Sequence, residues 1–133
     1  MMKLAERKEA VMDWADFIGA ANRELAALRP QMPGVAQGFA QLAKAATAPG
    51  ALDTKSKELI AVAIGIAKQC DSCIGLHMKA AIRQGATRAE LAEVIGMCVY
   101  MGGGPSLMYG AKALAAFDEL AAAEAAPASA ATA

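Results

Sequence analysis

The chain has no surplus of either charge: Lys plus Arg and Asp plus Glu each number 13 in 133 residues. Proteins that grip nucleic acid or an anionic membrane surface neutralise phosphates with a basic excess, so neither partner is expected. A membrane-spanning run is also missing. The longest uncharged stretch, Val94 to Ala111, approaches the necessary length, but Gly102-Gly103-Gly104-Pro105 lies inside it and would break a spanning helix. That stretch reads as two helices and a turn. No segment alternates apolar and polar residues for long enough to suggest a half-buried strand. The opening Met1-Met2-Lys3-Leu4-Ala5-Glu6 is polar within its first residues and shows no apolar signal core. A secretory leader is therefore not expected, and the cytoplasm is the default compartment. Cysteine occurs three times and histidine once, which in a reducing compartment argues against a structural disulfide framework.

What remains is strongly helical. Hydrophobic residues make up 56% of the chain and mean hydropathy is +0.32, more apolar than a small monomer needs, so some apolar surface is expected to meet another subunit. Alanine is the commonest residue and the best helix former. The expected fold class is all-α, with six helices forming one domain over residues 1–124. Val11, Trp14, Ile18, Ala21, Leu25 and Leu28 mark a first helix, ended by Pro30. Pro33 and Gly34 open a second, carrying Val35, Phe39 and Leu42 and stopping before Ala48-Pro49-Gly50. A third, capped by Asp53 or Thr54, runs to about Lys68; it is apolar on most sides and should be central. The fourth starts at Cys70 or Asp71 and ends near Gln84, with Gly85 suited to a left-handed cap. Thr87 and Glu90 form a capping-box pattern for a fifth helix through Tyr100, and Pro105 fits the first turn of a sixth reaching about Glu124. Residues 125–133, rich in Ala with Pro, Ser and Thr, offer no core face and read as a flexible tail.

The chemistry gathers at Cys70-Asp71-Ser72-Cys73. If these residues open a helix, the sulfurs share one face with Cα atoms about 5–6 Å apart, within disulfide range. His77 follows Cys73 by four residues on that face, where the imidazole can accept the thiol proton. Amides at the helix start favour thiolate at both sulfurs. In an antiparallel hairpin turning near Gln69, Glu58 falls roughly one turn beyond His77, within reach to orient its ring.

The constellation Glu58, Cys70, Cys73 and His77, followed by Gly85-Ala86-Thr87-Arg88-Ala89-Glu90-Leu91 and Met101-Gly102-Gly103-Gly104-Pro105, resembles the alkylhydroperoxidase D-like, or carboxymuconolactone decarboxylase, superfamily. The resemblance covers roughly residues 52–120. Its redox branch implies a helical homo-oligomer, trimer or hexamer. Such proteins reduce peroxides or pass electrons between a dithiol carrier such as lipoamide and a peroxiredoxin. By that resemblance Cys73 is the thiol activated through His77 and Glu58, and Cys70 resolves. Helix-field reasoning alone would instead favour Cys70, nearer the helix start. Ser72 stands where the best-known peroxidase members carry a histidine, a departure that weighs against efficient peroxidase turnover and leaves dithiol–disulfide exchange untouched. The ring-decarboxylating members lack the paired cysteines.

The leading expectation is thus a thiol–disulfide oxidoreductase or alkylhydroperoxidase-like antioxidant enzyme that uses neither a metal nor an organic cofactor. Its substrate is a peroxide or disulfide. Two other readings stay open. One is a zinc-binding or scaffolding oligomer, with Cys70, Cys73 and His77 as ligands and Cys98 as a fourth. Against it, Cys98 lies in the apolar run Val94 to Tyr100, where cysteine usually packs as a small hydrophobe. The other is a lyase with His77 and Glu58 as acid–base groups.

Overall fold

In the computed structural model, which describes residues 12–126, six α-helices follow one another and the described residues contain no strand. They are α1 (Trp14–Leu28), α2 (Pro33–Thr47), α3 (Thr54–Ala67), α4 (Asp71–Arg83), α5 (Arg88–Gly102) and α6 (Gly104–Ala125). Local chemistry explains most of the starts. Asp13 and Asp53 accept backbone N–H groups of Asp16 and Ser56 at 3.0 and 2.7 Å, satisfying donors that the first helical turn leaves unpaired. Thr87 and Glu90 form the reciprocal capping box on α5. Pro33 and Pro105 sit in first turns, where a missing N–H costs nothing. The chain then reverses through residues with positive φ: Gln69 (54°), Gly85 (90°) and Gly103 (71°).

Helices α3 and α4 form an antiparallel hairpin, turning at Gln69 so that Glu58 in the second turn of one meets His77 in the middle of the other. Close approach at its closed end requires Gly65, where a Cβ would stand 3.2 Å from Cys73 Cβ and 3.3 Å from Ile74 N. Helices α5 and α6 form a second hairpin, tied by Arg88 to Asp118 at 2.9 Å. The hairpins lie side by side. Lys55–Glu90 and Cys98–Ala63 contacts run α3 parallel to α5, and Asp71–Lys112 and Arg83–Glu124 pairs run α4 parallel to α6. Their shared core holds Val62, Ile66, Ile74, Met78, Leu91 and Phe117. Helix α1 closes one side. Trp14 and Ile18 pack into that core beside Gly75, and both Glu119 carboxylate oxygens cap the free amides of Trp14 and Ala15 at 2.8 Å.

The boundaries of the five later helices match the sequence reading to within a residue or two, whereas the first, read from Val11, begins at Trp14 because Asp13 takes an extended conformation and caps it. The chain after Leu28 differs: it does not simply stop at Pro30 but takes one 3-10 turn over Arg29–Gln31, which the fixed φ of proline permits. Helix α3 differs too. Leu59, Val62 and Ile66 are buried, but Ile60 and Ile64 are 46% and 51% exposed, so its apolar circumference is only partly used by this chain. Val11 of the first helix and most of the expected tail, residues 127–133, lie outside the described residues; Ala125 ends α6.

Candidate functional site

Cys70 is the N-cap of α4, and Cys73 sits in its first turn. The sulfur at 70 accepts the Cys73 N–H at 3.2 Å, replacing the oxygen that usually caps a helix. The two cysteines are joined as a disulfide with Cα atoms 5.3 Å apart. This is the separation expected for positions i and i+3 on a helix, so the bond forms on the backbone that α4 already adopts. Both cysteines are half-buried, as is His77, which places the group at the surface rather than behind the core.

His77 lies one turn after Cys73. Its Nδ1 and Glu58 Oε2 are 2.8 Å apart, and the side chains are 43% and 10% exposed respectively. With the carboxylate as acceptor, Nδ1 carries the proton and Nε2 is left as the basic nitrogen. The sequence reading put Glu58 a turn beyond His77, and side-chain length closes that offset. Glu58 belongs to the second turn of α3 and is buried, so it is more than a first-turn acid facing water.

A cleft of about 390 Å³ opens beside His77, walled by Phe39 and Leu42 of α2 and by Ile60 and Ile64 of α3. Its walls explain why the outward face of α3 is apolar. On the other flank, Asp71 is held by Lys112, whose Nζ lies 3.0 Å from each carboxylate oxygen. Cys98 stands apart. It is buried and free, its thiol faces the Ala63 carbonyl at 3.7 Å, and burial pushes its pKa up, which keeps it protonated. Among the described residues no group of three or more His, Cys, Asp or Glu side chains is gathered to hold a metal ion.

Sequence reasoning named Glu58, Cys70, Cys73 and His77; the fold joins Cys70 to Cys73 at the closed end of the α3–α4 hairpin and pairs His77, one turn further along α4, with Glu58 of α3. That reasoning missed the α2 wall of the cleft and the Lys112 contact. The second had a readable signal, because Lys112 is the lone charged residue between Glu93 and Asp118. The α2 wall had none, since nothing in a helix's own periodicity says which neighbour it leans towards.

An all-helical protein with a paired Cys-x-x-Cys at a helix start and a His–Glu couple beside it is the class this fold and site define. The sequence pattern of the carboxymuconolactone decarboxylase family matches residues 33–119, and the chain belongs to that family. An uncharacterized protein of Cupriavidus necator is 48% identical over 99 residues, 74% of this chain and 88% of its own length. Uncharacterized protein 4 in the cox locus of Paracoccus denitrificans is 43% identical over 82 residues, 62% of this chain and 74% of its own. Among solved structures, a carboxymuconolactone decarboxylase family protein from Legionella pneumophila, in its apo form, shares 52% identity with a TM-score of 0.79, covering 81% of this chain and 96% of that one. A family member from Thermotoga maritima, for which involvement in an antioxidative response has been suggested, shares 28% identity with a TM-score of 0.72, covering 80% and 92%. No helix among the described residues is long and apolar enough to cross a membrane.

Proposed function

We propose that this protein is a thiol–disulfide oxidoreductase of the antioxidant kind, working through reversible oxidation of Cys70 and Cys73. The observation that carries the reading is the paired, half-buried cysteines at the start of α4 with the His77–Glu58 couple one turn away. An external dithiol, of which dihydrolipoamide is the type, reduces the Cys70–Cys73 disulfide. Two electrons and two protons pass to the pair and the carrier leaves as its own disulfide. Cys73 then loses its proton to Nε2 of His77, which Glu58 holds in the productive tautomer.

A hydroperoxide or a disulfide reoxidises the pair. With a hydroperoxide, the Cys73 thiolate attacks the outer oxygen, the O–O bond breaks, and the alkoxide takes a proton to leave as an alcohol. Cys70 next displaces water from the sulfenic acid and restores the disulfide. With a disulfide substrate, two successive exchanges give the same end state. The suggestion made for the Thermotoga relative supports this direction, as does the apolar cleft beside His77, which suits an organic substrate better than a small inorganic one. The reading includes assembly as a homotrimer or homohexamer, for which exposed Val35, Phe39 and Leu42 of α2 offer an apolar face.

The test is stopped-flow measurement of thiol loss when the reduced protein meets an alkyl hydroperoxide or oxidised lipoamide. The wild type should react rapidly with at least one, Cys73→Ser should abolish the fast phase, and His77→Gln should slow it by about 100-fold or more. Glu58→Gln should slow it less while leaving the helical content unchanged. Equally slow reaction of wild type and Cys73→Ser with both oxidants would remove the proposal. Turnover of a lactone-type acid that survives replacing both cysteines by serine would instead assign His77 and Glu58 to lyase chemistry.

A further inference from the structure

We propose that Lys112 is a positioning residue for this redox pair: bound to Asp71, it offsets the carboxylate that lies between the two cysteines and keeps the opening of α4 able to favour a thiolate. The proposal deepens the oxidoreductase reading and rests on it.

The opening turn of α4 is asked to do two incompatible things. Its exposed amides stabilise negative charge, which is why a sulfur can cap it and why a thiolate forms readily there. The Cys73 N–H already points at the Cys70 sulfur at 3.2 Å. Yet the residue next to Cys70 is Asp71, an anion in the same first turn. Left bare, its carboxylate would compete for the same field and repel a neighbouring thiolate. Lys112 answers it with Nζ 3.0 Å from both oxygens. The lysine arrives from α6, 41 residues away in sequence, and its ammonium also sits 5.0 Å from the centre of the Tyr109 ring, a second hold on its direction.

Other charged groups lie on the elements around the pair and are unchanged in every variant. His77 and Glu58 lie on the α4 and α3 side, Lys68 caps the end of α3, and Glu24 of α1 lines a cleft shared with Ser72. Among the described residues, Lys112 is the cation in an ion pair with a residue inside the Cys-x-x-Cys turn. In an otherwise uncharged run from Val94 to Phe117 its charge is isolated, and that run's packing against the core does not call for it.

The experiment is the pH dependence of iodoacetamide alkylation in the fully reduced protein, with modified cysteines located by mass spectrometry. Four variants are compared with wild type: Lys112→Met, Lys112→Arg, Asp71→Asn, and Asp71→Asn combined with Lys112→Met. Lys112→Met should lower the thiolate fraction at neutral pH by roughly two- to fivefold, the size of a charge effect at a helix end. Asp71→Asn should raise it by a similar factor, the double variant should return close to wild type, and Lys112→Arg should hold the wild-type profile. A clamp with only a structural role would lower the melting temperature without moving the alkylation profile; profiles of Lys112→Met and wild type that superimpose therefore overturn the proposal. Should Lys112→Met fail to fold, Asp71→Asn decides alone, and an unmoved profile in it is equally fatal. Wild-type thiols that stay unreactive up to alkaline pH would count against the oxidoreductase reading itself, whereas reactive thiols insensitive to all four variants count against Lys112 only.

Discussion

Helices α2 and α4 are amphipathic by sequence, yet one buries nothing and the other is built into the core. α4 contributes Ile74, Gly75, Met78 and Ala81 to the interior, with Ile74 and Met78 fully buried. α2 has no buried residue, and Val35, Phe39 and Leu42 are 65%, 69% and 63% exposed. Periodicity states that a helix has an apolar face; it does not state what covers that face. The cysteines ride on the helix that the core locks in place, while one wall of the cleft beside His77 belongs to a helix that this chain alone leaves largely uncovered. A redox pair needs fixed geometry between its sulfurs, which a helix buried in the core supplies.

The sharpest way to break this comparison is to truncate one apolar side chain in each helix. Ile74→Ala should cost about 2–5 kcal/mol in denaturant unfolding. Phe39→Ala, at concentrations where the chain is monomeric, should stay within about 0.5 kcal/mol; a cost matching Ile74→Ala would show that α2 is integral to the fold. Next in size is Gly65→Ala. Its added methyl meets Cys73 Cβ and the Ile74 backbone at 3.2 and 3.3 Å, and overpacking of this kind costs about 1–3 kcal/mol. Because the contact is at Cys73, the same variant should shift the thiol–disulfide equilibrium, whereas Gly34→Ala in α2, where a Cβ meets nothing within 4 Å, should leave that equilibrium unmoved and cost no stability.

Smaller still is Gln69→Gly. Gln69 takes φ of 54° at the turn into α4, a conformation glycine adopts without penalty, so the substitution should stabilise by about 1 kcal/mol in thermal or denaturant unfolding.

The smallest effect concerns pH. Hydrogen bonds from Lys55 and Arg88 hold the Glu90 and Asp118 carboxyls below their ordinary values of 4.5 and 3.8. A folded-state value that is depressed contributes stability present above the unfolded value and lost as pH falls through the folded one. Unfolding midpoints should therefore decline as the pH falls below about 4.5, and decline less in the Glu90→Gln and Asp118→Asn background. Both groups lie on the exposed surface, so the decline is shallow.

Much of this was legible in the sequence, for identifiable reasons. Asp53, Thr87 with Glu90, Pro33 and Pro105 mark helix starts through backbone chemistry that acts over three or four residues. Local spacing likewise put Cys70, Cys73 and His77 on one helical face, and a single hairpin assumption brought Glu58 to them. What was not legible depends on contacts between distant segments. The exposure of Ile60 and Ile64 follows from where α2 stops short of covering α3. The Asp71–Lys112 pair spans 41 positions and follows from α4 and α6 running parallel, a relation no local pattern encodes. The 3-10 turn at Arg29–Gln31 lay between these cases: Pro30 marked an ending without saying what the backbone would do next.

The measurement that bears most directly on the account is a redox titration of the native protein. The chain is equilibrated across ratios of reduced to oxidised lipoamide, quenched with an alkylating reagent, and its modified cysteines are counted by mass. Cys70 and Cys73 should pass together from doubly modified to unmodified in one two-electron transition, with buried Cys98 unlabelled throughout until the protein is unfolded. Cys70 and Cys73 remaining fully alkylated at every ratio, or losing label independently of one another, would contradict it.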